Sequence, residues 1–435
     1  MAMTRGLSST APLLDGPPGI HRRRASGEAT WAQTLGNIVV SIVGTGVLGL
    51  PYAFRKAGWL AGSLSVAVAG GSIYLCMLLL VSQIQCRNRL EENDDESGDA
   101  IHVQSYGDLG AKVFGATGRY LTEFLVVLSQ AGSAVAYLIF IVQNLSSFAK
   151  TNQSLISPSS FIFLLLLPLE LSLSFIHSLS SIAPVSAFAD VCNVLAMAIV
   201  IKEDFQLFDR FSWGRSAVNG IWGLPFAGGV AVFCFEGFSM TLALEASMAD
   251  RRKFPLVLLA AFIAITIVYV SFGSFGYLAY GNETKDIITL NLPNDWSAIA
   301  VKVGICVALA FTFPITMHPI YEIVETKLTA IGCFQKLPYN ARGQRITLQL
   351  ARMAVLVMVS LVASYIPGFG AFISLVGSTV CAMLSFVLPA TFHLALMGSD
   401  LKLWRRAVDY VFLLVGLAFA GYGTYDALRD QITGS

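Results

Sequence analysis

Gln33–Phe54, QTLGNIVVSIVGTGVLGLPYAF, decides how this chain reads. It is apolar over about 22 residues, enough to cross a bilayer core as one helix. Its middle nevertheless carries Gly44, Thr45, Gly46 and Gly49, with Pro51 close behind. Glycine loosens a helix, and proline removes a backbone hydrogen bond and clashes with the preceding turn. A helix broken at that depth persists only where protein or a watery cavity satisfies the freed backbone groups. Midplane breaks are where carriers hold their substrate, half-helix N-termini facing a carboxylate and freed carbonyls facing a cation. The stretch therefore predicts a discontinuous first span with Gly44, Thr45 and Gly46 against a bound solute.

The rest of the chain agrees with a bilayer as its solvent. Of 435 residues 55% are hydrophobic and 13% charged, with a mean hydropathy of +0.68. Soluble domains average about 25% charged residues, so the fold class is an all-α polytopic membrane protein. A net charge of +1 argues against nucleic acid or an acidic partner. The seven cysteines are scattered and none forms a CxxC, so neither a disulfide framework nor a metal site is expected, and nothing calls for a cofactor. Residues 1–30 carry Arg22–Arg24 without an apolar core, unlike a secretory signal. Rich in Ser, Pro and Gly, they read as a disordered cytosolic tail.

Apolar runs give about eleven spans: 33–54, 58–84, 117–148, 159–177, 184–201, 222–248, 255–280, 297–321, 346–366, 368–396 and 407–427. The loop 85–116, with the acidic run EENDDESGD, reads as solvated. With the N-terminus cytosolic, inner segments hold about 18 of the 28 Lys and Arg against about 9 outside. The sequons at Asn152 and Asn282 fall on the outer side. Residues 31–201 and 222–396 each hold five spans, joined by a linker at 202–221, with the last helix and tail in 397–435. Five is odd, so the second set enters from the opposite side, which is an inverted repeat. Its first helix, 222–248, carries Glu236 and Gly237 mid-run, followed by Ser239 and Thr241. Two interrupted helices at matching positions point to one midplane site, with Glu236 and Gly237 at the second break.

Each candidate has a plainer reading beside it. Gly44–Gly49 spells the dinucleotide fingerprint G-x-G-x-x-G. No strand precedes it, Leu50-Pro51 follows where a helix should open, and no acid lies about 20 residues on, so nucleotide binding is excluded. Glycine packing between helices remains the alternative to a substrate-lining break. A carboxylate at a span's centre costs about 2.5–3.5 kcal/mol on the insertion scale, so Glu236 needs a purpose or a partner. It is a proton acceptor or a tie for unwound backbone N–H groups, and the two roles can coexist. Asp190 is the second proton candidate, while Glu123, Glu170 and Glu245 are the other acids at membrane depth. Gln130, Ser133 and Tyr137 share one helical face; Tyr137 covers a solute or bonds a neighbouring helix. Thr312 and Thr316, one turn apart beside Pro314, hold a cation or its proton substitute, or bond their own helix. His318 reads as structural.

The runs GNIVVSIVGTGVLGLPYAFRKAGW, FCFEGFSMTLALE, DIITLNLP, FTFPITMHPIYEIVE and GFGAFISLVGSTVCAMLSFVLPA together resemble the amino acid/auxin permease family. The likeness covers about 33–425 and is nearest to its plant branch of aromatic and neutral amino-acid transporters, related to vacuolar exporters and animal proton-coupled transporters. It implies an eleven-helix, leucine-transporter-like inverted repeat that moves amino acids with protons. By that analogy the substrate carboxylate meets Gly44–Gly46, its amino group meets carbonyls around Phe235–Phe238, and the threonines stand near a sodium position. Animal proton-coupled members carry a histidine seven residues before the GTG glycine; that position is Asn37 here. Coupling would therefore pass through Glu236 or another acid.

The expectation is a secondary transporter for neutral, including aromatic, amino acids, working by alternating access and coupled to protons. Its partners are the amino acid, protons and the lipid bilayer, in the plasma membrane or an endomembrane such as the vacuole's; the sequence leaves the oligomeric state open and is compatible with a monomer. The alternatives are an uncoupled facilitator and an amino-acid-sensing membrane receptor. An enzyme is not expected, since no HExxH, GxSxG or paired catalytic aspartates occur.

Overall fold

The computed structural model describes residues 29–93, 105–151, 162–174, 179–206, 215–293, 295–330, 341–366, 368–397 and 402–433. The N-terminal tail up to residue 28, most of the acidic run, the sequon at Asn152 and residues 207–214 of the linker lie outside these.

Thr30 opens the first helix, α1 (Trp31–Ile42), with a capping box: its backbone N–H donates to Gln33 Oε1 at 2.9 Å, and the Gln33 N–H donates back to its hydroxyl. After a break, α2 (Leu50–Ala57) completes the span, the segment Thr45–Ala57 being bent by 49° from α1. Gly58, at φ 99, turns the chain into α3 (Trp59–Asn93), and a side chain there would strike the Ala217 carbonyl. Helix α4 (Tyr106–Thr151) kinks at Phe114 and Gly115, where φ reaches 63. A π turn (Ile162–Leu166) leads to the short α5 (Leu167–Ser174), followed by α6 (Leu179–Gln206). The second half begins with α7 (Gly223–Cys234) and α8 (Phe238–Ser247), then α9 (Phe254–Tyr280) and α10 (Trp296–Ala330). Helix α11 (Ala341–Tyr365), α12 (Phe369–Met397) and α13 (Leu403–Thr433) end it.

Among the described residues seven helices are long and apolar enough to span a membrane alone, and the bent α1–α2 pair makes an eighth. The expected all-α polytopic architecture is present. The expected spans 159–177, 184–201 and 222–248 correspond to α5 with its π turn, to α6, and to the separate pieces α7 and α8. The region 85–116 is not a plain solvated loop. Helix α3 continues to Asn93, and Tyr106 and Leu109 before the α4 kink are buried, with the Tyr106 hydroxyl donating to Leu384 O at 3.0 Å. The acidic letters masked that amphipathic turn.

Residues buried inside the bundle are those where helices cross closely. A Cβ added at Gly377, inside a π turn of α12 (Gly377–Cys381), would run into the Gly229 carbonyl of α7. Small residues that let backbones meet are a main source of helix association in lipid, where apolar side chains gain nothing by leaving it. At the rim, Glu123 of α4 takes Arg119 Nε at 2.7 Å and Lys327 Nζ of α10 at 2.7 Å, and Arg352 of α11 pairs with Glu325 of α10. Glu123 thus lies between two cations, Arg119 of its own helix and Lys327 of α10.

Gly377→Val should overpack the α7–α12 crossing, at a cost of about 1–3 kcal/mol or more. It should lower the thermal unfolding midpoint in detergent, whereas Gly421→Ala, inside α13 with nothing within 4 Å, should not lower it.

Candidate functional site

Both helices expected to break do so, at the expected letters. Helix α1 stops at Ile42; Val43 and Gly44 are extended, and Thr45–Gly49 winds as a 3-10 turn before α2. Pro51 falls in the first turn of α2, where a missing N–H costs nothing. It therefore starts the second half and does not cause the break. Helix α7 stops at Cys234; Phe235 caps it, and Glu236 and Gly237 are non-helical ahead of α8. A helix leaves its first N–H groups and last carbonyls without intrahelical partners. The two breaks thus bring two sets of such groups to midspan.

The breaks touch. A Cβ on Gly46 would lie 2.9 Å from Cys234 Sγ and 3.0 Å from Phe233, and one on Gly237 would lie 3.0 Å from Ile42. Gly46 is therefore the packing glycine, as the plainer reading of the cluster required. Gly44 is different, with nothing within 4 Å of an added Cβ. It borders a cavity of about 290 Å³ between the two breaks, close to the lower end of the roughly 300–1,000 Å³ of ligand pockets.

The expected residues reach this cavity unevenly. Gly44, Thr45, Gly46, Glu236 and Gly237 line it from the breaks, and Gln130, Ser133 and Tyr137 of α4 form the opposite wall as one polar face. Thr312 and Thr316 of α10 line it too, yet their hydroxyls donate to Ala308 O at 2.9 Å and Thr312 O at 3.4 Å, the own-helix bonds weighed above. Phe235 and Phe238 do not reach it with their rings. Phe235 stacks on Phe262 at 5.6 Å, and Phe238 packs against Tyr106 at 6.2 Å, both fully buried. Asp190 lies on α6, with its side chain outside the described part, as is that of Ser239.

Three features give the cavity chemical character. Thr45 is buried at the start of the 3-10 turn with its hydroxyl unpaired, beside N–H groups at a helix start. That is a natural place for an anionic group. Glu236 is half-buried on the facing break and lines the cavity there. Val40, Met240, Leu309 and Ile315 supply an apolar side. Asn193 of α6 also lines the cavity, and Tyr269 of α9 bonds both breaks; neither stood out in the sequence. Tyr269 reads as one more apolar-span aromatic until its neighbours are known.

Two discontinuous helices facing one small cavity inside a bundle are the arrangement of the leucine-transporter fold. The fold is similar to the solved structure of Mhp1, a nucleobase-cation-symport-1 family transporter in a closed conformation with bromovinylhydantoin bound. The TM-score is 0.55 and the identity 11%, over 94% of this chain and 92% of that one. The family described as transmembrane amino acid transporter protein matches residues 27–429, and the chain belongs to it. It is 52% identical to amino acid transporter ANT1 of Arabidopsis thaliana, over 97% of this chain and 96% of that protein. It is 37% identical to amino acid transporter AVT3B of Arabidopsis thaliana, over 92% and 93%. The family resemblance read from the GTG and FEG runs is thereby shown.

Gly44→Val should fold, because valine suits extended backbone, and its side chain should project into the cavity. Solute binding is expected to weaken at least about tenfold, or about 1.4 kcal/mol, with an unchanged melting curve. Gly46→Leu should lose both binding and thermal stability, because it meets Cys234 and Phe233 first.

Proposed function

We propose that this protein moves neutral amino acids, aromatic ones included, across a membrane by alternating access, with protons as the coupled ion. The observation that carries the reading is the pairing of opposite needs across one cavity. The helix start at Thr45 offers donors to a carboxylate, and Glu236 with the carbonyl ends of α1 and α7 offers acceptors to an ammonium group. A zwitterion presents those two groups on adjacent atoms, and the apolar wall of Val40, Met240, Leu309 and Ile315 suits a neutral side chain. Family membership and the amino acid transporter relatives support the substrate class.

Glu236 is the acid available for proton coupling at this cavity, since Asn37 occupies the place of the histidine found in animal proton-coupled members. The organisation we favour is the inverted repeat of 31–201 and 222–396, with the N-terminus cytosolic and the chain in the plasma membrane or an endomembrane. An uncoupled facilitator is the second reading, and the own-helix hydroxyl bonds of Thr312 and Thr316 favour it.

Purified protein in liposomes separates these readings. Labelled phenylalanine or alanine should enter faster when the pH outside is lower than inside, and other neutral amino acids should compete with it. Flux indifferent to the pH gradient would leave the facilitator, and tight binding without flux would leave a receptor. Glu236→Gln should flatten the pH dependence while retaining exchange of bound substrate. An unaltered pH profile would confine Glu236 to holding backbone and substrate.

A further inference from the structure

The two broken helices end on the same atom. Tyr269, fully buried on α9, places its hydroxyl 3.3 Å from the Ile42 carbonyl at the end of α1. The same hydroxyl is 3.1 Å from the Cys234 carbonyl at the end of α7. Helix C-terminal carbonyls carry partial negative charge, and the last four lack intrahelical partners. Two such ends aimed at one point repel each other and, in a low-dielectric interior, must share something positive. Freed carbonyls at half-helix ends are where cation-coupled carriers hold their ion. Here the shared group is a neutral O–H whose single hydrogen serves both oxygens.

The tyrosine is built in place. Its ring packs on Phe235 at 5.1 Å, and Phe235 stacks on Phe262 of the same helix α9. Ile42 and Cys234 both border the solute cavity, so whatever fixes their carbonyls also fixes its rim.

We propose that the Tyr269 hydroxyl takes the place of a monovalent cation between the carbonyl ends of α1 and α7, and that it positions both ends for substrate. This deepens, and rests on, the reading of the cavity as the amino-acid site. Tyr269 is a positioning residue, acting through the backbone of the two breaks. With the hydroxyl removed, two carbonyls converge on a gap about one oxygen atom wide, which a small cation can fill. The parent protein has no need of an ion at this junction, and the variant does.

The test is Tyr269→Phe, with phenylalanine binding measured at one pH in sodium, lithium or N-methyl-D-glucamine chloride. The variant is expected to bind at least about tenfold more weakly in the large organic cation. A substantial part of that loss should return in sodium or lithium, while the parent shows no such recovery at equal ionic strength. Affinity within twofold of the parent in every salt overturns the proposal, as does an equal loss in every salt, which would mean a packing role only. If Tyr269→Phe does not yield monodisperse protein, 3-fluorotyrosine at 269 alters donor strength with little change of shape. Affinity should then change by at least about threefold, and unchanged affinity overturns the proposal. Gly44→Val separates the two levels. If both Gly44→Val and Tyr269→Phe bind like the parent, the cavity reading has failed; if only Tyr269→Phe does, the tyrosine proposal has failed.

Discussion

A backbone amide or carbonyl in hydrocarbon must find a partner, and this chain interrupts two helices where partners are scarce. Everything near the cavity answers that demand. Tyr269 takes the carbonyls of Ile42 and Cys234. Gly46 packs close to Cys234 and Gly237 close to Ile42, so the two breaks meet. The N–H groups at the start of the 3-10 turn remain beside the cavity, with the Thr45 hydroxyl also unpaired. An internal deficit of donors and acceptors is costly in an empty protein, and it is the part a solute can make good.

The surrounding helices supply a fixed frame for this pair. Ion pairs join α4 to α10 through Glu123 and Lys327, and α10 to α11 through Glu325 and Arg352. Lys327 also lies over the Tyr120 ring, 3.9 Å from its centre, so the end of α10 is held to α4 by charge and by aromatic contact together. Against the other side of the breaks, α12 packs on α7 through Gly377 and Gly229, and its two π turns place Cys381 beside Ser129.

What could be read from the letters follows from what is local. Glycines ending in a proline, and a carboxylate beside a glycine in an apolar run, are local statements about backbone, and both breaks were legible. So was the polar face of Gln130, Ser133 and Tyr137, because helical periodicity alone puts them together. Tyr269 and Asn193 were not, because their role depends on which helix lies opposite. The rings of Phe235 and Phe238 flank Glu236 in the letters, yet adjacency beside a break does not fix direction, and they pack on Phe262 and Tyr106. The buried turn at Tyr106–Leu109 was hidden by the acidic run before it, whose charge dominates any average over the loop.

The glycine cluster shows why the count of glycines matters less than their backbone angles and neighbours. Gly44 has φ −113 and ψ −166, extended values open to any residue, and space in front of it. It is glycine at a place where conformation does not ask for one, so the space itself is the reason. Gly46 lies inside the 3-10 turn, also without need of a positive φ, yet a neighbouring helix fills the place of its side chain. One glycine keeps a cavity open and the other lets a second broken helix approach closely enough to share it. The motif thus borders a cavity at Gly44 and packs against a second broken helix at Gly46, two residues apart, and the cavity exists because the packing does.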